Sequence, residues 1–217
     1  MRPTVRSAPA LLALAGLASC SSVYYATMEK FGYAKRDILV DRVKEGREEQ
    51  QGAQKQFQTT FEAFKALTGF QGGKLEETYD SLKKELDRCK SSAEGVSGRI
   101  ASIEKVAKDM FAEWKQENSQ YTSPELRSKS EKLLADTQQR YDRLIGAMKT
   151  AESRMPPVIA KFNDQVLFLK HNLNAQAIAS LQDTVLQIEG DVGRLLDEMK
   201  RSITEADAFI SSMGTGG

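Results

Sequence analysis

Apolar residues recur along most of the chain at alternating steps of four and three. The clearest row is Leu75, Tyr79, Leu82, Leu86, Cys89, Ala93, Val96, Ile100, Ile103, Ala107, Met110 and Trp114. Side chains at this spacing share one stripe of an α-helix. The residues between them are mostly Lys, Glu, Asp, Ser and Arg. No period-two alternation competes, so the row predicts a helix from about Lys74 to Asn118, roughly 67 Å long at 1.5 Å per residue. A second row upstream runs through Met28, Phe31, Leu39, Val43, Ala53, Phe57, Phe61, Phe64 and Leu67, with Gly46, Gln50 and Gly52 weakening its middle. Thr68-Gly69-Phe70-Gln71-Gly72-Gly73 ends that helix and turns the chain.

Downstream, residues 120–124 make the next turn, where Ser123 can cap and Pro124 suits a first helical position that needs no N–H. A third row follows: Leu126, Leu133, Thr137, Tyr141, Leu144, Met148 and Ala151. It meets Met155-Pro156-Pro157, and apolar spacing resumes at Ile159, Phe162, Val166, Leu169 and Leu173. The last row is Leu181, Val185, Ile188, Val192, Leu195, Met199, Ile203, Ala206 and Ile210, and the small, polar residues from Ser211 onward predict a frayed tail.

The third reversal has two candidate positions. Two prolines remove hydrogen-bond donors and clash with the preceding turn, which favours a break at Pro156-Pro157. That break leaves helices of about 32 and 55 residues, whereas a turn at Asn172-Leu173-Asn174 gives about 48 and 38, which pair along their length. Asn172 can take a left-handed C-terminal conformation there, and Asn174 can cap the final helix. Under this second placement Gly46, Gly52, Gly95, Gly98, Gly146, Gly190 and Gly193 fall near mid-helix and would form one layer of close approach. The favoured architecture is all-α: long antiparallel helices in an up-down-up-down four-helix bundle or coiled coil, with the third helix kinked at Pro156-Pro157. Leu82, Leu86, Val96, Ile100 and Ile103 are expected to pack against Val185, Ile188, Val192 and Leu195.

Composition narrows the chemistry. The 31 Lys and Arg residues balance 30 Asp and Glu, which argues against a general nucleic-acid binder with a phosphate-neutralising face. One His and two Cys leave little for a metal site. No catalytic residue, metal, cofactor or small-molecule substrate is expected. His171 lies beside Lys170, Asn172 and Asn174 in a polar turn and lacks the partners that acid–base chemistry needs. Acidic pairs such as Glu48-Glu49 read as solvated helix faces. Lys30, Lys35, Arg36, Asp37, Asp41 and Arg42 crowd the start of the first helix. They read either as i,i+4 ion pairs within that helix or as an interaction surface for lipid headgroups or a partner. Lys170, His171, Asn172 and Asn174 form a second candidate interaction group. Cys89 sits on an apolar row with no basic cluster near it in sequence, so it reads as a core residue.

The first residues are an address. Arg2 and Arg6 precede an apolar run, Ala8 to Gly16, which is shorter than the roughly 20 residues a membrane span requires. A basic start, a short apolar core and small residues at the end make a secretory signal. Leu17-Ala18-Ser19-Cys20 resembles the lipobox of bacterial lipoproteins, and the resemblance implies that Cys20 is acylated and becomes the first residue of the mature chain. Residues 1–19 would then be the signal peptide, 20–213 the helical domain and 214–217 a disordered tail. The mature chain would be attached to a membrane through Cys20. Ser21 in place of an acidic residue favours the periplasmic face of the outer membrane. Candidate partners are another envelope protein, the cell wall or a second copy of the chain.

Two segments carry a further resemblance. Tyr24-Tyr25 through Val43, with Met28-Glu29-Lys30-Phe31-Gly32-Tyr33-Ala34-Lys35-Arg36-Asp37, looks like the opening of a bacterial family of coiled-coil lipoproteins classed as a domain of unknown function. Asp164 through Ile178, with Leu167-Phe168-Leu169-Lys170-His171-Asn172-Leu173-Asn174, is similar to its second signature. The resemblance implies a helical envelope lipoprotein with no established activity. Some members carry the label DNA repair ATPase, which implies a DNA-repair-associated alternative. The residues do not support that label: a phosphate-binding loop needs Gly-x4-Gly-Lys-Ser/Thr after a strand. In Thr68-Gly69-Phe70-Gln71-Gly72-Gly73-Lys74-Leu75, Thr68 holds the first glycine position, Leu75 the hydroxyl position, and a helix precedes it.

Overall fold

The computed structural model describes residues 35–70, 72 and 74–214. They form α1 (Lys35–Thr68), α2 (Leu75–Asn118), α3 (Pro124–His171), a short α4 (Ala175–Ala179) and α5 (Gln182–Gly214). The four long helices pack around a ring: α1 on α2, α2 on α3, α3 on α5, and α5 back on α1. Each ring neighbour is antiparallel, which makes an up-down-up-down four-helix bundle. Helices α2 and α5 therefore lie across a diagonal, and the expectation that they are neighbours is corrected.

The chain turns at 172–174, and α3 runs unbroken through both prolines. Burial explains the tolerance. Pro156 and Pro157 are exposed, while Met155 and Val158 on either side are buried. The carbonyls deprived of an N–H belong to Glu152, which is half-buried, and Ser153, which is exposed, and neither residue is in the core. The turn before the prolines is loosened as well. Thr150 Oγ1 donates to the Gly146 carbonyl and Ser153 Oγ to the Thr150 carbonyl, both at 2.8 Å, a back-bonding that bends helices.

Local signals fix the ends. Ser123 Oγ accepts from the Leu126 N–H, with Pro124 just inside α3. The sharp turn between α1 and α2 holds the one positive φ among the described residues, at Gly72. At the other reversal Asn172 is not left-handed: its φ is −127°, and its side chain donates to the Phe168 carbonyl at 2.9 Å. Asn174 does cap, accepting from the Ala177 N–H. The helix it starts is the single turn α4, which buries Ala177 and Ile178 and packs on α1 before Leu181 leads into α5.

The α2 row is buried or half-buried at every expected position, and Val106 and Phe111 join it. In α1 the row does not weaken at its middle. Gly46 and Gln50 are both buried and carry it from Val43 to Ala53. Gln50 Oε1 accepts from Ser202 Oγ of α5 at 2.6 Å, while Gln50 Nε2 has no partner. Phe64 and Phe162 meet edge-on across the α1–α3 diagonal, their centroids 5.9 Å apart, and fill the centre.

Three expectations change. Leu126 and Leu133 are exposed at 53% and 59%, and the buried row of α3 starts instead at Ser130, Leu134 and Thr137. The α5 row passes through Ser202, Phe209 and Met213, not Ile203 and Ile210, and the helix continues to Gly214 where a frayed end was expected from Ser211. The shared glycine layer is absent. A Cβ at Gly52, Gly98, Gly146 or Gly193 would meet nothing within 4 Å, and one at Gly95 would meet only the Glu49 side chain. Gly46 alone among these serves packing: a Cβ there would come within 2.8 Å of Ile103 Cδ1 and 3.1 Å of Met148 Cε.

Cys89 is fully buried on α2. Burial pushes its thiol up from 9.0 to about 12, against the opposing pull of a Thr60 hydrogen bond and the Lys90 charge. Tyr141, half-buried and edge-on to Phe111, is raised to about 12 by burial first, then by Glu104 and Asp142. The folded chain holds both protons more tightly than the unfolded chain. Their stabilising effect is therefore intact below the unfolded pKa of each group, and is lost as pH climbs towards 12.

Two predictions follow from this packing. Gly46→Leu should destabilise by about 1–3 kcal/mol through overpacking, whereas Gly193→Ala should stabilise by up to about 1 kcal/mol; denaturant melts of both variants check the opposite signs. Cys89 should resist alkylation by iodoacetamide until the chain unfolds. The fall in melting temperature between about pH 9 and pH 11.5 should be shallower in Cys89→Ala than in the parent, with Tyr141 supplying the remaining slope.

Candidate functional site

The charged residues at the start of α1 do not form one patch. Lys35 Nζ reaches across to Glu113 Oε1 of α2 at 2.6 Å. The Arg36 guanidinium donates to the Met213 carbonyl near the end of α5. One turn on, Asp41 takes Lys44 at 3.1 Å and Arg42 takes Glu45 at 2.9 Å, so the pairing within the helix is i,i+3. Glu45 also receives Arg99 of α2 at 2.7 Å. Asp37 is exposed. Lys30, Leu17, Ala18, Ser19 and Cys20 lie outside the described residues.

These contacts border an open cleft of about 580 Å³ at this end of the bundle. Met110, Trp114, Leu133 and Met213 supply its apolar walls, and Lys35, Arg36, Glu113, Glu117 and Arg140 its charges. Beside it, Trp114 Nε1 donates to Ser130 Oγ at 2.9 Å, and Ser130 Oγ donates to Asn118 Oδ1 at 2.6 Å. Asn118 is 4% exposed and its Nδ2 has no partner. Sequence reasoning missed this cleft because its walls come from four helix ends that are distant in the chain. The readable signal was Trp114, the one tryptophan, at the end of the α2 row.

Lys170, His171, Asn172 and Asn174 sit at the opposite end, about 50 Å away along α1, and all four are exposed. Asn172 and Asn174 act in the turn, as described. Leu167 and Phe168 in the same segment are 55% and 43% exposed. The segment resembling a phosphate loop is an interhelical turn. Lys74 pairs with Glu77 at 2.6 Å, and Thr68 Oγ1 back-bonds to the Lys65 carbonyl. No strand occurs among the described residues.

A shallower groove runs beside the prolines, between α3 and α5. Asp191 holds both Lys161 of α3 and Arg194 of its own helix. The Lys161 hydrogen bond, helped by Arg194, keeps the Asp191 carboxyl below its usual range against a smaller opposing effect of burial. These charges are matched to one another, and the Lys161–Asp191 pair clasps α3 to α5. Among the described residues no three His, Cys, Asp or Glu side chains converge as metal ligands, and no helix is long and apolar enough to cross a membrane.

No curated protein and no solved structure matches the chain. One family model does, and it spans nearly all of the bundle and the residues just before it. With residues 24–213 matched, the chain belongs to the family described as protein of unknown function, DUF2959.

Proposed function

We propose that the chain is a lipid-anchored protein of the cell envelope whose helical rod has a structural or protein-binding role and no catalytic step. The observation that carries this reading is Leu17-Ala18-Ser19-Cys20, placed directly after a basic start and a short apolar run. Acyl chains on Cys20 would hold the mature chain at the membrane, each buried methylene contributing about 0.8 kcal/mol. The residues from Cys20 to Lys35 can span roughly 50 Å at most, so the cleft end of the bundle would be the end nearest the lipid. Ser21 favours the periplasmic face of the outer membrane. The rod then presents the Lys170–Asn174 end, with exposed Leu167 and Phe168, away from the anchor towards an envelope protein, the wall or a second copy.

Cells grown with radiolabelled palmitate should incorporate label into the wild type and not into Cys20→Ala, which should accumulate as an unprocessed or soluble form. A wild type that takes up no label and fractionates with cytosolic proteins overturns the reading. The DNA-repair alternative makes the opposite demand on purified protein lacking residues 1–20. We expect neither ATP hydrolysis nor duplex DNA binding at moderate salt. Turnover that survives purification and vanishes in Lys74→Ala would favour that alternative.

A further inference from the structure

The middle of the rod is its leanest part. Contacts across the seams set the heights. A Cβ at Gly46 would meet Ile103 of α2 and Met148 of α3, Gly95 stands against Glu49, and Gln50 bonds Ser202 of α5. About residues 44–56 of α1, 91–103 of α2, 144–156 of α3 and 196–208 of α5 therefore share one slab, roughly 20 Å thick. No Phe, Tyr or Trp occurs in these four segments. The buried rings lie on either side of it, Phe57, Phe64 and Phe162 towards α4, and Phe111 and Phe209 towards the cleft. Within the slab α1 gives the core only Gly46, Gln50 and Ala53, and α5 gives Met199, Ser202 and Ala206. Arg47 Nε and Gln50 Nε2 are buried here without a partner. Such a layer gains less from burial than the ring-filled layers above and below it.

The helices themselves are weakest at the same height. Gly52, Gly95, Gly98 and Gly146 join Gly46 in the slab, and Pro156 stands at its edge. Gly46 is required by close packing, but Gly52, Gly98 and Gly146 face open space, where an alanine would meet nothing. Each lowers the helix propensity of its segment, and nothing in the packing asks for it. In α3 the back-bonded Thr150 and Ser153 loosen the stretch between Gly146 and Pro156. Helix α5 carries Gly193, likewise facing open space, about one turn outside the slab. We infer that the rod has a soft waist: this slab opens locally while the cores on both sides stay packed. Lean packing and weak helix coincide there, so opening the middle costs less than opening either end. The two end sections can then change their angle to one another with neither unfolding. The device asks nothing of Cys20.

Residue-resolved amide exchange on the chain from Ser21 onward tests this. A uniformly packed bundle is best protected at mid-helix and less so towards frayed ends. A soft waist reverses the profile. Buried-row amides at residues 50–53, 96–103, 148–151 and 199–206 should be less protected, by roughly tenfold or more, than those at 57–64, 82–89, 106–111 and 162–169. Their exchange should hardly quicken in sub-denaturing urea, because a local opening exposes little surface. The flanking amides, freed only by global unfolding, should quicken steeply. Gly52→Ala, Gly98→Ala and Gly146→Ala add a methyl group where there is room and should fold. Each should slow exchange at the waist by up to about fivefold. Protection that peaks at mid-rod overturns the inference. So does one steep urea dependence shared by the whole bundle, or exchange at the waist that none of the three variants slows. Waist protection that rises with protein concentration would assign the outward glycines to contact with a second copy, and it overturns the inference as well.

Discussion

Each long helix has to bury one continuous row of side chains against two neighbours over nearly the whole length of the rod. Everything else in the structure gives way to that requirement. A helix of this length in water gains little from intrinsic propensity and owes its stability to the packed face. The row is therefore maintained where the sequence offers poor material. Gly46 and Gln50 hold buried positions in α1 because Val43 and Ala53 on either side have no other face to present. The two prolines of α3 survive because they fall between rows, with Met155 and Val158 carrying the buried contact past them.

Burial alone would allow the helices to slide by a heptad, because one apolar layer resembles the next. Polar pairs remove that freedom. Ser202 and Gln50 find each other inside the α1–α5 seam, and a slip would leave both buried without partners, a cost of about 1–3 kcal/mol for each group. The chain of Trp114, Ser130 and Asn118 does the same between α2 and α3. On the outside, Arg47–Asp207, Lys90–Asn163 and Lys149–Glu104 mark the same register. Exposed pairs of this kind contribute little each, and their value is in choosing one alignment over its neighbours.

The two ends of the rod are built differently. At one end α4 folds Ala177 and Ile178 over the core and closes it, leaving a polar turn outside. At the other end the α2–α3 hairpin overhangs, with apolar residues on display beside a charged cleft. Among the described residues, a closed end and an open end give the rod a direction.

The periodicity of apolar positions determined the helices and their order, because a four-three spacing sustained over many positions has no other local solution; it left the last reversal open between Pro156-Pro157 and 172–174, and matched helix lengths favoured the second. The caps at Ser123 and Asn174 were legible for the same reason: their chemistry acts over three residues. The proposed leader and the proposed lipid site at Cys20 rest on the sequence alone. The glycines misled because local spacing says where a residue falls along a helix and not which side it faces once four helices have chosen partners. Only Gly46 faces inward. Leu126 and Leu133 misled in the converse way. They lie on an apolar spacing, but Leu126 falls past the level where α1 begins and α5 ends, and Leu133, level with them, faces the open cleft; a row is buried only where a neighbour reaches it. The cleft was invisible for that reason too, since its walls are Lys35, Trp114, Leu133 and Met213. Relative helix height brings these residues together. It is fixed by packing and polar pairing across the bundle, and no stretch of the chain encodes it alone.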